Sequence, residues 1–132
     1  MSAEGFIRGE SDARARLRAF LRAPRLPIDL DALEWNSLGP GVRAHVLETD
    51  PAGHLRRALI WADVDAVIPE HTHDVAEDTL MLEGTLEQIG DGSGIYPAGT
   101  IFHSPVGSTH TSRNAGRGPC LCYVVYWPPT GD

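Results

Sequence analysis

A chain of 132 residues, 42% hydrophobic and 22% charged, suffices for one packed core and has the composition of neither a disordered nor a fibrous protein. Its 11 basic residues are all arginine, and against 18 acids they leave a formal charge of -7, which opposes nucleic-acid binding. The absence of lysine removes Schiff-base and P-loop lysine chemistry, and the uneven charge, +3 over residues 1–25 and -10 over residues 26–132, leaves an acidic body suited to a divalent cation.

The first predicted element is a helix from Ser11, a favourable N-cap, to Ala23, where Pro24 and Pro27 end it. Ala13, Leu17, Phe20 and Leu21 make its apolar stripe, and Arg14, Arg18, Arg22 and Arg25 occupy the other side. This basic helix is expected to dock on an acidic barrel of the same or a neighbouring chain. Residues 1–34 thus read as helix and linker, and residues 35–132 as the main domain. No apolar run approaches the roughly 18 residues that span a bilayer, and no secretory pattern opens the chain, so a cytoplasmic protein without membrane or nucleic-acid partners is expected.

From Leu38 onward Gly, Pro and Asp punctuate β-rich stretches, the rhythm of an antiparallel sandwich or barrel. Strands are predicted at Val42–Thr49, Leu55–Ala62, Val64–His73, Asp78–Glu83, Thr85–Ile89, Ile95–Tyr96, Thr100–Ser104, Thr109–Arg113 and Leu121–Trp127. The fold class is therefore all-β, a jelly-roll barrel with a short N-terminal helix. Cys120 and Cys122 share one face of the last strand at a spacing unsuited to an ordinary disulfide, and read as small apolar fillers of the core.

His71-Thr72-His73 sets two imidazoles on the same face of an extended strand, which makes a chelating arm. Glu77 follows across a short turn at Asp74-Val75-Ala76, Gly84 allows a tight reversal, and His110 supplies a fourth donor. Three neutral imidazoles and a carboxylate suit a first-row divalent metal such as iron, manganese, nickel, cobalt or zinc. An octahedral ion so held keeps positions for water, oxygen or substrate, whereas a tetrahedral zinc is saturated.

These residues carry a family resemblance. His71, His73, Glu77 and Gly84 reproduce the first cupin motif, H-x-H-x3-E-x6-G, and Gly99, Pro105, Gly107, His110 and Asn114 reproduce the second, G-x5-P-x-G-x2-H-x3-N. Asp65 stands where a glycine usually leads the first motif. Between Trp35 and Trp127 the chain resembles the cupin domain of ChrR-type anti-sigma factors, through Leu80-Met81-Leu82-Glu83-Gly84, Tyr96-Pro97-Ala98-Gly99 and Pro105-Val106-Gly107-Ser108-Thr109-His110. The same branch is similar to metal-dependent dioxygenases that cleave carbon–carbon bonds of diketones or hydroxyacetophenones, some of which use three histidines without the glutamate. The resemblance implies a cupin barrel, one divalent metal, Fe(II) first with zinc, nickel or manganese as alternatives, a small-molecule ligand and a homodimer. Its implied activities are a dioxygenase on a β-dicarbonyl or hydroxyketone, a non-catalytic metal or ligand sensor, or an isomerase or decarboxylase. In the anti-sigma proteins a zinc-binding helical domain precedes the cupin. Here the first 38 residues hold no His and no Cys, so direct sigma-factor inhibition is not expected of them.

Around the metal, Asp78 is a candidate to hydrogen-bond a ligating imidazole and fix its tautomer. His103, Tyr96, Arg113 and Tyr123 are the candidate pocket residues, with Tyr123 and Tyr126 on opposite faces of one strand. Serines near these histidines do not make a hydrolase, because the chain lacks a G-x-S-x-G elbow.

Overall fold

The computed structural model describes residues 32–127; the helix expected over Ser11–Ala23 lies outside them. Ten strands follow one another: β1 (Asn36–Gly39), β2 (Val42–Thr49), β3 (Leu55–Ala62), β4 (Val67–Thr72), β5 (Ala76–Glu83), β6 (Thr85–Gly90), β7 (Gly94–Pro97), β8 (Ile101–Ser104), β9 (Thr109–Asn114) and β10 (Cys120–Trp127). They form a six-stranded sheet in the order β1-β2-β3-β10-β5-β8 and a four-stranded sheet in the order β4-β9-β6-β7, antiparallel throughout. From β3 onward the chain crosses repeatedly between the sheets, with β6 and β7 together in the smaller one, so the two sheets bury apolar faces against each other, as the jelly-roll expectation requires.

Alternation decides which residues face the interior. On β10, Cys122 stands opposite Ile60 of β3 and Met81 of β5, which sends Cys120, Cys122, Val124 and Tyr126 inward and Leu121, Tyr123 and Val125 to the outer side. Ala62, Met81, Leu86, Cys120, Cys122 and Val124 form the core cluster, with Ile60, Phe102 and Tyr96 packed against it. Both thiols are free and buried, as expected of core fillers. Cys120 Sγ lies 3.2 Å from the Thr85 carbonyl oxygen, and Cys122 Sγ lies 3.4 Å from Met81 Sδ.

Three differences from the sequence reading have local causes. The strand expected over Val64–His73 begins only at Val67, because Asp63 to Ala66 is a turn closed by Ala66 N–H donating to Asp63 O at 3.0 Å. Asp65, in the place of the usual motif glycine, has a left-handed backbone at φ 64°, a conformation that aspartate tolerates better than most residues. The strand expected from Asp78 begins at Ala76, so Glu77 sits inside β5. β1, Asn-Ser-Leu-Gly, carries no β-forming pattern and exists as an exposed edge paired to β2 through an irregularity before Gly39.

Two motif residues explain themselves as framework. Gly84 reverses the chain at φ 81°, and a Cβ there would stand 2.5 Å from the Pro119 carbonyl oxygen, so only glycine fits. Asn114, 1% exposed, donates through Nδ2 toward the carbonyls of Ala62 (3.1 Å), Asp63 (3.0 Å) and Gly118 (2.9 Å), while its Oδ1 accepts from Gly116 N–H at 2.9 Å. It ties the end of β9 to the turn after β3 and to the loop before β10.

Candidate metal centre

The first motif places His71 on β4 and His73 just beyond it; the second places His110 on β9, directly opposite His71 in the β4–β9 ladder. His73 extends that pairing through its backbone, with N–H donating to Ser108 O and its carbonyl accepting from Gly107 N–H. The three imidazoles meet edge to face with ring centroids 4.7 to 4.8 Å apart. One nitrogen from each lies within 4.8 Å of the others, a grouping that can hold a metal ion. His73 and His110 are buried, and His71 is half-buried at the cavity side.

Hydrogen bonds aim the rings. His71 Nδ1 lies 2.9 Å from the Pro69 carbonyl oxygen, which only accepts, so Nδ1 carries the proton and Nε2 keeps its lone pair. His73 Nδ1 lies 3.3 Å from Glu77 Oε2. His110 is bonded to the backbone of Asp91, and its Nε2 stands 3.0 Å from Nε2 of His73. Two lone-pair nitrogens at that separation repel each other unless a proton or a cation lies between them, so the donor set fits a cation. Burial first, then the neighbouring His71 and His73, hold the His110 imidazole below its ordinary pKa, which favours the neutral form a metal needs.

Glu77 reaches the cluster from the opposite sheet. Its Oε1 accepts from Thr79 Oγ1 at 3.3 Å, and its Oε2 faces His73. Of the four expected ligands, the structure brings the three histidines within mutual ligand distance, with Glu77 beside them as the partner of His73.

A cavity of about 420 Å³ opens onto this cluster, with His71, His110 and Glu77 in its wall. The remaining wall is mainly apolar, from Ile60, Ile68, Leu86, Phe102, Val124 and Tyr126, with Thr79, Gln88 and Ser112 as polar insertions. Burial, followed by the nearby Glu77 carboxylate, pushes the Tyr126 hydroxyl well above the ordinary phenol pKa.

The residues expected to shape the pocket fall elsewhere. Arg113 follows inward-facing His110 and Ser112 at odd parity, so it points out and bonds Glu87 Oε1 through Nε at 3.1 Å. Tyr123 lies on the outer side of β10, and Tyr126 supplies the tyrosine of the cavity wall. Tyr96 packs on Phe102 with centroids 4.3 Å apart and donates its hydroxyl to Gly92 O at 2.7 Å. His103 and Asp78 pair on the outer face of β8 and β5, with Nδ1 to Oδ1 at 2.9 Å, and Asp78 Oδ2 accepts from Trp127 Nε1 at 2.6 Å. Thr79, Gln88 and Ser112 were not among the expected cavity residues, although Ser112 stands two residues beyond His110 on the same face.

The family of ChrR cupin-like domains matches residues 24–130. The chain belongs to that cupin family. It is 34% identical over 114 residues to the anti-sigma-E factor ChrR of Cereibacter sphaeroides, with 82% of this chain covered. The chain spans about half of that relative's length, 51%. The solved complex of Rhodobacter sphaeroides SigE with the anti-sigma ChrR superposes at a TM-score of 0.66 and 26% identity, covering 88% of this chain and 66% of that one. An RmlC-like cupin from Shewanella frigidimarina, at 20% identity, shares the fold with a TM-score of 0.61, over 80% of this chain and 91% of that one. Among the described residues of this cupin no helix is long and apolar enough to cross a membrane.

Proposed function

We propose that this cupin holds one divalent metal through His71, His73 and His110, with the Glu77 carboxylate orienting His73, and acts on a small oxygen-bearing ligand, as an Fe(II) dioxygenase of β-dicarbonyl or hydroxyketone compounds. The observation that carries this reading is the placement of two imidazoles and the Glu77 carboxylate in the wall of an apolar cavity. A structural ion is enclosed by protein on all sides, whereas this donor set faces a space large enough for a ligand.

Bound iron supplies Lewis-acid polarisation of the ligand oxygens and access to oxygen chemistry. The chain's own residues do the rest. Pro69 O, Glu77 and the Asp91 backbone fix the three imidazoles so that Nε2 of each remains the donor atom. Ile60, Ile68, Phe102 and Val124 exclude water from the ligand's body. Among the described residues no Lys or Arg lines the cavity, so phosphorylated sugars and dicarboxylates find no cationic side chain among them, which disfavours the isomerase and decarboxylase readings.

A second reading, a metal-dependent sensory module, is favoured by the 34% identity to an anti-sigma factor. In this reading a protein partner responds to the occupied cavity.

The test begins with elemental analysis of protein purified without added metal, followed by oxygen uptake after Fe(II) loading with acetylacetone, benzoylacetone and hydroxyketones. Metal-dependent uptake that disappears in His110→Ala is expected. An iron-loaded protein that consumes no oxygen with any of these compounds overturns the dioxygenase reading. In that event, a partner protein whose binding depends on the metal supports the sensory one.

A further inference from the structure

We propose that Gln88 is the specificity-determining residue of the cavity, and that the ligand is an uncharged molecule with an apolar body and a second hydrogen-bond acceptor distant from the metal. This deepens the reading of the cavity as a ligand site and rests on it.

Gln88 lies on β6 with only 3% of its surface exposed, yet it forms part of the cavity wall. Among the described residues its side chain has one partner, Ser112, whose hydroxyl donates to Gln88 Oε1 at 3.3 Å. Ser112 is itself 3% exposed and directly opposite Gln88 in the β6–β9 ladder. The serine uses the amide oxygen, which leaves the two Nε2 hydrogens open to an acceptor inside the cavity. A ligand that covers this amide strips it of water, so a ligand that supplies an acceptor there gains over one of the same shape that does not.

Register fixes how far this donor lies from the metal. Ser112 is two residues from His110 on the same face of β9, about 7 Å along an extended strand. Across the cavity Thr79 is likewise two residues beyond Glu77 on β5. A ligand held at the histidines by one end therefore meets Gln88 with its far end, at the level where Ile68 pairs with Ser112 and where Phe102 and Val124 pair with Thr79.

Charge decides the ligand class. Among the described residues the imidazole and carboxylate groups in the wall are His71, His110, Glu70 and Glu77, with no arginine among them and no lysine anywhere in the chain. A carboxylate or phosphate at the distal end would enter an apolar space where no described residue offers a counter-charge. A neutral carbonyl oxygen meets the amide donors without that penalty.

The experiment is a calorimetric titration of the full chain loaded with zinc, which binds without redox chemistry. Three probes are used: benzoylacetone bearing a para-acetyl group, the para-isopropyl compound of the same shape, and the para-carboxyl compound. The wild type is expected to prefer the acetyl over the isopropyl probe about fivefold, and to reject the carboxyl probe. In Gln88→Met the acetyl preference should fall to within about twofold, with zinc content unchanged and isopropyl binding retained. Equal wild-type affinities for the acetyl and isopropyl probes overturn the proposal whether or not the variant folds. A preference that survives in Gln88→Met, a carboxyl probe that binds as tightly as the acetyl one, or no binding by any probe overturns it as well. Failure of oxygen uptake with iron removes the dioxygenase reading alone, because this titration needs no turnover.

Discussion

His73 Nδ1 and Glu77 Oε2 face each other at 3.3 Å from opposite sheets, so the contact that orients a metal-binding imidazole also ties the two sheets together. Glu77→Gln keeps an oxygen that accepts from His73 and removes the negative charge. Metal affinity is expected to fall about 10–100-fold, as for other carboxylates that support a ligating histidine. Competition with a chromophoric chelator measures it, and an unchanged affinity would show that the carboxylate's charge is not used.

Because the donor nitrogens come from β4, the residue just after it and β9, an ion that binds them binds the folded state alone. Free metal at a hundred times its dissociation constant should stabilise the fold by about 2.7 kcal/mol. A strong chelator should therefore lower the melting temperature of the wild type and leave His71→Ala unmoved. A melting temperature insensitive to the chelator in both would count against binding at this cluster.

The metal centre was legible because the two motifs encode spacing that a strand translates directly into direction. His71 and His73 share a face by alternation, and His110 follows a turn whose glycine, Gly107, donates to His73 O. The same alternation, continued from His110, sends Ser112 inward and Arg113 outward, so the placement of Arg113 was available in the sequence. The parity of β10 was not. Its run Leu121-Cys122-Tyr123-Val124-Val125-Tyr126 is apolar at nearly every position, and only pairing with Ile60 and Met81 decides that Tyr126 rather than Tyr123 reaches the cavity. A register irregularity between Leu121 and Cys122 breaks the inference from either end. Gln88 was hidden for another reason: a polar residue in Thr-Leu-Glu-Gln-Ile reads as a surface position until Ser112 is set opposite it.

Cys122 provides an alkaline probe of the core. Burial pushes its thiol up to about 12 from the ordinary 9.0, with lesser contributions from Cys120 and Glu77. A group whose pKa is raised on folding gives its full stabilisation below the unfolded value, and that stabilisation is lost as pH rises toward the folded one. Stability should therefore decline from about pH 9 upward, and less steeply in Cys122→Ala. Urea unfolding between pH 8 and pH 11 reads this, while a disulfide reagent at pH 8 should label Cys122 only after unfolding. Rapid labelling of the native protein at Cys122 would contradict the burial.

Asp78 separates framework from site. It is 2% exposed on the outer side of β5, where Trp127 Nε1 donates to its Oδ2 at 2.6 Å and His103 Nδ1 bonds its Oδ1 at 2.9 Å. Those bonds join β5 to β8 and β10, the three strands at one side of the larger sheet. Asp78→Ala leaves the indole donor without its acceptor and should cost about 3 kcal/mol, whereas Asp78→Asn, which retains an oxygen, should cost about half as much. Glu77, its neighbour in sequence, points to the opposite face. Metal content and affinity should consequently stay at wild-type levels in Asp78→Asn while its urea midpoint drops. A fall in metal affinity with an unchanged midpoint would reverse the assignment and place Asp78 in support of the metal centre.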